Sequence, residues 1–156
     1  MTHPVTPCLW FDHQAEEAAQ FYVSIFRHSR IIAISRYSQE GYEIHQQKAG
    51  TVMTVRFELN GQPFTALNGG PAFKFNESIS LQVFCETQEE IDYYWQRLSD
   101  GGEEGPCGWL KDKFGLSWQI VPAVLDELMS DPARAPRVTR AFLAMKKMDI
   151  ETLLKA

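Results

Sequence analysis

The residues best equipped for chemistry in this chain are few and scattered. Glu43 and His45 stand two apart, and on an extended segment they would share a face, offering a carboxylate and an imidazole to a divalent ion. The neighbouring Gln46-Gln47-Lys48 makes a solvated loop pair the plainer alternative. His13 and His28 sit at opposite ends of one helical stretch, His28 where it can favour the carboxyl-terminal dipole, and His3 lies close to the amino terminus. Spacing assembles no His-Cys pair and no Ser-His-Asp set, so nucleophilic catalysis finds no support. Cys8, Cys85 and Cys107 are odd in number, far apart and free of a C-x-x-C pair. They predict reduced, mostly buried thiols, and neither a disulfide framework nor a thiolate zinc site.

The elements that would have to position a site come in two copies. Thr6 to Asp12 followed by Ala15 to Phe26 matches Ile79 to Cys85 followed by Gln88 to Ser99 at an offset of 73, which sets Phe11 on Phe84 and Tyr22 on Trp95. Each copy reads as a short apolar strand leading into an amphipathic helix, and a duplicated unit predicts two facing halves with the site between them. In the first helix Ala15, Ala18, Ala19, Tyr22, Ile25 and Phe26 form one stripe, with Asp12 available as a cap. In the second, Thr87 and Glu90 form a capping box, Ile91, Tyr94, Trp95 and Leu98 supply the stripe, and Gly101-Gly102 ends it. Arg30 to Tyr37, Thr51 to Leu59 and Gln62 to Leu67 read as strands, the last two joined by an Asn60-Gly61 hairpin turn. The first module is therefore expected to be β-α-β-β-β. In the second, Gly108 to Asp112 and Leu116 to Val121 flank a turn at Lys113-Phe114-Gly115. Gln39 to Gly50, polar and absent from the second copy, reads as a mobile loop.

With 156 residues, 44% hydrophobic and 12% aromatic, the chain can bury a core of its own. A formal net charge of -5 argues against nucleic acid as a partner, because phosphate binding needs clustered Lys and Arg. No stretch approaches the ~20 apolar residues of a membrane span and no basic leader precedes Cys8, so the expectation is a soluble, cytoplasmic protein with no membrane partner. Asp131-Pro132 reads as a helix start, and Val138, Ala141, Phe142, Met145 and Met148 form a stripe flanked by Arg137, Arg140, Lys146 and Lys147. Such a helix can meet a membrane or an acidic partner, or pack on its own protein or a twin subunit.

Paired βαβββ modules resemble the vicinal oxygen chelate superfamily, the glyoxalase and bleomycin-resistance fold. Ala66-Leu-Asn-Gly-Gly-Pro71, Cys107-Gly-Trp-Leu-Lys-Asp-Lys-Phe-Gly115 and Ser117-Trp-Gln-Ile-Val-Pro122 further resemble its PhnB-like branch, often labelled 3-demethylubiquinone-9 3-methyltransferase. The resemblance implies an α+β fold in which two modules (about 5–70 and 78–122) form a half-barrel cup within a domain at 1–122, followed by a helical tail at 123–156. It also implies a homodimer. In the superfamily's metalloenzymes, His and Glu side chains hold one divalent ion in the cup. Those positions fall on Pro7, Ser80, Thr65 and Gln119, which are poor ligands for a transition metal, so no metal and no cofactor is expected.

With Pro7 facing the cup, strand alternation adds Leu9 and Phe11 and leaves Cys8 and Trp10 beneath the helix. Ser80, Gln82 and Phe84 would face it from the second copy, with Ile79, Leu81 and Val83 in the core. Ser117, Gln119, Thr54, Arg56, Thr65 and Leu67 complete a lining of aromatics, amides, hydroxyls and one cation. That surface suits a small, partly apolar ligand with hydrogen-bonding oxygens. The alternative is that Phe11 and Phe84 fill a collapsed core and Arg56 pairs with Glu58 or Glu43. Three functions follow: a metal-independent glyoxalase-like protein that binds a small organic molecule; a metal-dependent lyase, isomerase or dioxygenase; or the methyltransferase of the family label. The last is disfavoured because no glycine-rich loop follows an early strand.

Overall fold

The computed structural model describes residues 2–156. The chain divides into a first unit ending at Lys74 and a second running from Phe75 to Ala156. Each unit is built on an open four-stranded sheet, and helices follow at the carboxyl end, an α+β architecture.

The first unit runs β1 (Cys8–Phe11), α1 (Ala15–Ile25), β2 (Arg30–Arg36), α2 (Tyr42–His45), β3 (Val52–Leu59) and β4 (Gln62–Asn68), with sheet order β1-β4-β3-β2. Ala15, Ala18, Ala19, Tyr22 and Ile25 are all buried, as the helical spacing predicts. The Tyr22 ring stacks on Phe57 at 6.2 Å and Phe57 on Phe64 at 5.4 Å, so α1 covers the sheet face that carries Val55, Phe57, Phe64 and Ala66. Asn60 and Gly61 both hold positive φ, 51° and 83°, as a two-residue type I′ hairpin requires. Asp12 does not cap α1. The N-cap is Gln14 without a side-chain bond, and the Ala15 amide donates instead to Asn68 Oδ1 at 2.8 Å. The Gln39 to Gly50 segment, expected as a mobile loop, contains the single turn α2. The segment is closed at its base by Gly50 N donating to Tyr37 O (2.8 Å) and Tyr37 N to Thr51 O (2.9 Å).

The second unit runs β5 (Leu81–Cys85), α3 (Gln88–Ser99), β6 (Glu103–Glu104), β7 (Trp109–Lys111) and β8 (Ser117–Pro122), with order β5-β8-β7-β6. Helix α3 starts on the expected Thr87 and Glu90: Glu90 N donates to Thr87 Oγ1 at 3.2 Å, while the Glu90 carboxylate reaches one residue beyond the N-cap and accepts from Glu86 N at 2.7 Å. Its buried stripe is Ile91, Trp95 and Leu98, and Leu110, Trp118 and Ile120 supply the buried face of the sheet. Asp112 organises the β7–β8 turn. Its carboxylate accepts from Phe114 N (2.9 Å), Leu116 N (3.1 Å) and Trp118 Nε1 (2.9 Å). Ile79, expected in the core, precedes β5 and is 67% exposed, because the strand begins two residues later.

The carboxyl-terminal segment forms α4 (Leu125–Ser130), α5 (Ala135–Leu143) and α6 (Ile150–Lys155). No helix starts at Asp131-Pro132; Asp131 Oδ1 accepts from Ala133 N at 2.9 Å and α5 begins at Ala135. Met145 and Met148 therefore lie beyond α5, in a connector held by main-chain bonds. Cys107 N donates to Met145 O (2.8 Å), Gly108 N to Lys146 O (2.7 Å) and Gln88 Nε2 to Met148 O (3.0 Å). Ile150 N returns a bond to Gln88 Oε1 at 2.8 Å. The segment is thus docked on α3 and on the approach to β7, with Val138, Met148 and Leu153 buried. No helix of the described residues is long and apolar enough to cross a membrane.

Candidate functional site

Ladder register decides which side chains share a face. In the parallel pair of β1 and β4, Cys8 stands opposite Thr65, Leu9 opposite Ala66, Trp10 opposite Leu67 and Phe11 opposite Asn68. Leu9 and Phe11 therefore lie on the α1 side with Ala66 and Asn68, 5% and 3% exposed. They are core residues, and the expectation that they line the helix-free face is corrected. Cys8 and Trp10 occupy that face instead, with Thr65 and Leu67 beside them, and Thr54 and Arg56 opposite those two. The cause is a slip of one residue. In the second unit Gln82 stands opposite Gln119, so the first-strand copies are 74 residues apart, while the buried helix positions Tyr22 and Trp95 keep 73. The strand-to-helix connection is Asp12-His13-Gln14 in one copy and Glu86-Thr87 in the other. Because side chains alternate with period 2, that single residue turns every first-strand side chain over.

On the helix-free face of the first unit, the Ser35 and Thr54 hydroxyls bond at 2.5 Å, and Arg56 is exposed. Glu58 pairs with Arg30 at 3.2 Å rather than with Arg56. Trp10 is fixed at one end of this face by Nε1 donating to Gly70 O (2.9 Å) and by an edge contact with Phe73 at 4.9 Å. The Asn68-Gly69-Gly70 string is part of that fastening. A Cβ on Gly69 would fall 2.2 Å from the Trp10 ring, and the Asn68 amide also donates to Val52 O at 3.1 Å.

The second unit brings together Ser80, Gln82 and Gln119. Gln119 Nε2 donates to Ser80 Oγ at 2.8 Å, and Gln82 Nε2 points to Gln119 Oε1 at 3.5 Å. Phe84 shares the face of Gln82 and is 55% exposed. Next to this cluster, Trp109 stands opposite Gln119, and Lys111 opposite Ser117. Trp109, Lys111 and Ser117 border a hollow of about 440 Å³ that also meets Glu77 and Glu103. Lys111 forms an ion pair with Glu77. The bond from the Lys111 ammonium holds the Glu77 carboxyl below its usual range, and the same bond raises Lys111. Trp109 and Lys111 were not singled out from sequence. Their signal was available in the alternation of β7 against Ser117 and Gln119.

Glu43 and His45 do not form a ligand pair. They lie on α2, where residues two apart diverge around the helix. His45 is also engaged at both ring nitrogens, with Glu40 O at 3.0 Å and Gln47 N at 2.9 Å. Among the described residues no group of three or more His, Cys, Asp and Glu side chains could hold a metal ion. By the same alternation Pro7 falls with Leu9 and Phe11 on the α1 side, so the expectation that it faces the site is corrected too; Thr65 in the first unit and Ser80 and Gln119 in the second are neutral oxygen and amide groups. Of the cysteines, Cys85 alone is buried; Cys8 is exposed and Cys107 intermediate, all three as free thiols.

A family profile described as 3-demethylubiquinone-9 3-methyltransferase matches residues 3–121. The PhnB protein from Bacillus cereus is 39% identical, with a TM-score of 0.67, covering 78% of this chain and 100% of its own. Protein PA1353 from Pseudomonas aeruginosa is 17% identical, with a TM-score of 0.61, covering 78% and 98%. The fosfomycin resistance protein FosX from Listeria monocytogenes, complexed with Mn(II) and sulfate, is 14% identical, with a TM-score of 0.56, covering 83% and 97%. No curated protein matches the chain. Sequence and fold agree, and the chain belongs to the PhnB-like family described as 3-demethylubiquinone-9 3-methyltransferase.

Proposed function

We propose that this chain binds a small organic molecule, without a divalent metal, on the helix-free face of its second sheet. The observation that carries this reading is the Gln119–Ser80 hydrogen bond at 2.8 Å, with Gln82 beside it. The amides and hydroxyl offer donors and acceptors of fixed direction, and the exposed Phe84 ring gives an apolar wall. A ligand carbonyl would accept from Gln82 Nε2 and a ligand hydroxyl would donate to Gln119 Oε1, which suits a partly apolar metabolite carrying carbonyl and hydroxyl groups. Thr54, Arg56 and Thr65 give the first unit's helix-free face a related chemistry, hydroxyls beside one cation.

The family's description names a methyltransferase, yet a fold-level label does not supply a site. Neither strand-to-helix connection contains a glycine, and each sheet has only one parallel strand pair. The phosphate-cradling turn of a doubly wound nucleotide fold therefore has no counterpart here.

The test is a thermal-shift screen of a metabolite panel that includes S-adenosylmethionine, with elemental analysis of undialysed protein. A hit other than S-adenosylmethionine is expected, with no stoichiometric metal. Gln119→Ala and Gln82→Ala should weaken the hit by about fivefold or more, since each removes a directed hydrogen bond, while exposed Glu89→Ala should not. One tightly held metal per chain that is lost on changing Gln119, or indifference of binding to both glutamine changes, would overturn the reading.

A further inference from the structure

The hollow of about 440 Å³ at the β6–β7 side of the second sheet shares no residue with the Gln119 cluster and has its own chemistry. Its volume is that of a small-ligand site. Glu103 stands opposite Lys111 and Lys111 opposite Ser117, so three side chains form one row across β6, β7 and β8 on the helix-free face. Trp109, two residues from Lys111, shares that face.

Two observations point to an occupant. Ser117 is 0% exposed, and its hydroxyl has no hydrogen-bond partner, a state that buried polar groups seldom keep. The charge balance then selects the ligand. Glu77, Glu103 and Glu104 border the hollow against the single ammonium of Lys111, which is already paired with Glu77. Glu104, opposite Leu110, turns to the α3 side and accepts from Trp95 Nε1 at 3.0 Å, so Glu77 and Glu103 are the carboxylates set against Lys111, and among the described residues Glu103 forms no salt bridge. The hollow thus holds an excess of carboxylate beside an indole face, the combination that attracts a desolvated cation.

We propose that this hollow binds an organic ammonium ion, its N–H groups donating to Ser117 Oγ and the Glu103 carboxylate while its apolar body lies against Trp109. An anion would meet the Glu103 carboxylate, and an uncharged analogue would lose the charge-assisted bond.

Calorimetry on the full chain with tryptamine, its uncharged twin indole-3-ethanol and the anion indole-3-acetate tests this. Tryptamine should bind, indole-3-ethanol about tenfold more weakly, and indole-3-acetate not at all. Ser117→Ala should weaken tryptamine by about fivefold or more, yet leave the melting temperature of the free protein unchanged or raised, because it removes a hydroxyl that has no partner. Glu103→Gln should weaken tryptamine and flatten its salt dependence. Gln119→Ala should leave tryptamine binding unchanged, which separates this site from the one proposed above. The inference falls if indole-3-ethanol or indole-3-acetate binds as tightly as tryptamine, if tryptamine does not bind at millimolar concentration, or if binding is indifferent to both Ser117→Ala and Glu103→Gln.

Discussion

Cys85 shows how a single buried group sets a pH window. Its thiol is pushed up to about 12 from 9.0, first by burial and then by the Glu90 carboxylate. Because the folded value lies above the unfolded one, the stabilisation from keeping this thiol neutral is whole below 9.0 and is lost as pH rises from there towards about 12. Two results are expected. At about pH 8, where only thiolates react, iodoacetamide should modify exposed Cys8 while Cys85 reacts only after denaturation, with mass spectrometry of the digest locating the adducts. Above 9.0 the wild-type chain should lose stability more steeply than Cys85→Ala. Labelling of Cys85 as fast as Cys8 in the native protein would contradict both. At this same scale the family strings prove to be chiefly structural. Asn68 and Gly69 fasten Trp10 and the start of α1, and Asp112 gathers three donors into one turn. Their residue types were legible, but their partners were not, since those bonds join residues from 2 to 60 positions apart.

Elements were legible where local chemistry speaks twice. Helix α3 combines a buried stripe at helical spacing with Thr87 as its cap, and both signals are local. Thr87→Ala should cost about 1 kcal/mol, read as a lower urea midpoint at unchanged slope, because the Glu90 amide loses its acceptor. A cost near zero would mean that water or the Glu90 carboxylate replaces the hydroxyl. Where only one signal was present, the reading strayed. Asp12 has a capping side chain but stands three residues before α1, whose first amide is met from β4 instead. Gln39 to Gly50 is polar enough to read as a loop, yet Gly41 and Gln46, both at positive φ, bracket one helical turn. The carboxyl-terminal stripe mixes two situations. Val138 belongs to α5, whereas Met148 reaches the core from an irregular connector fixed by Gln88, and helical periodicity cannot foresee that.

For the whole molecule the duplication was the most informative feature, and it was also the source of the one error of face, since strand and helix copies differ in offset by one residue. Duplication also leaves edges. In the first sheet β1 and β2 each have a ladder partner on one side, and in the second β5 and β6 do. Edge strands invite pairing unless they are short, charged or covered. β6 is two glutamates long and guards itself. β2 is seven residues long and sets Ile32 and Ile34, 40% and 41% exposed, between Arg30 and Arg36. The carboxyl-terminal helices bury Val138 and Leu153 but leave Met129, Leu143 and Leu154 exposed. We therefore expect a homodimer in which a second copy covers β2. Sedimentation at micromolar concentration should give twice the chain mass of 17.9 kDa, and the paired change Ile32→Lys with Ile34→Glu should return the monomer with an unchanged circular dichroism spectrum. A wild-type chain that sediments as a monomer, or a dimer indifferent to the paired change, would show that β2 tolerates water on its own.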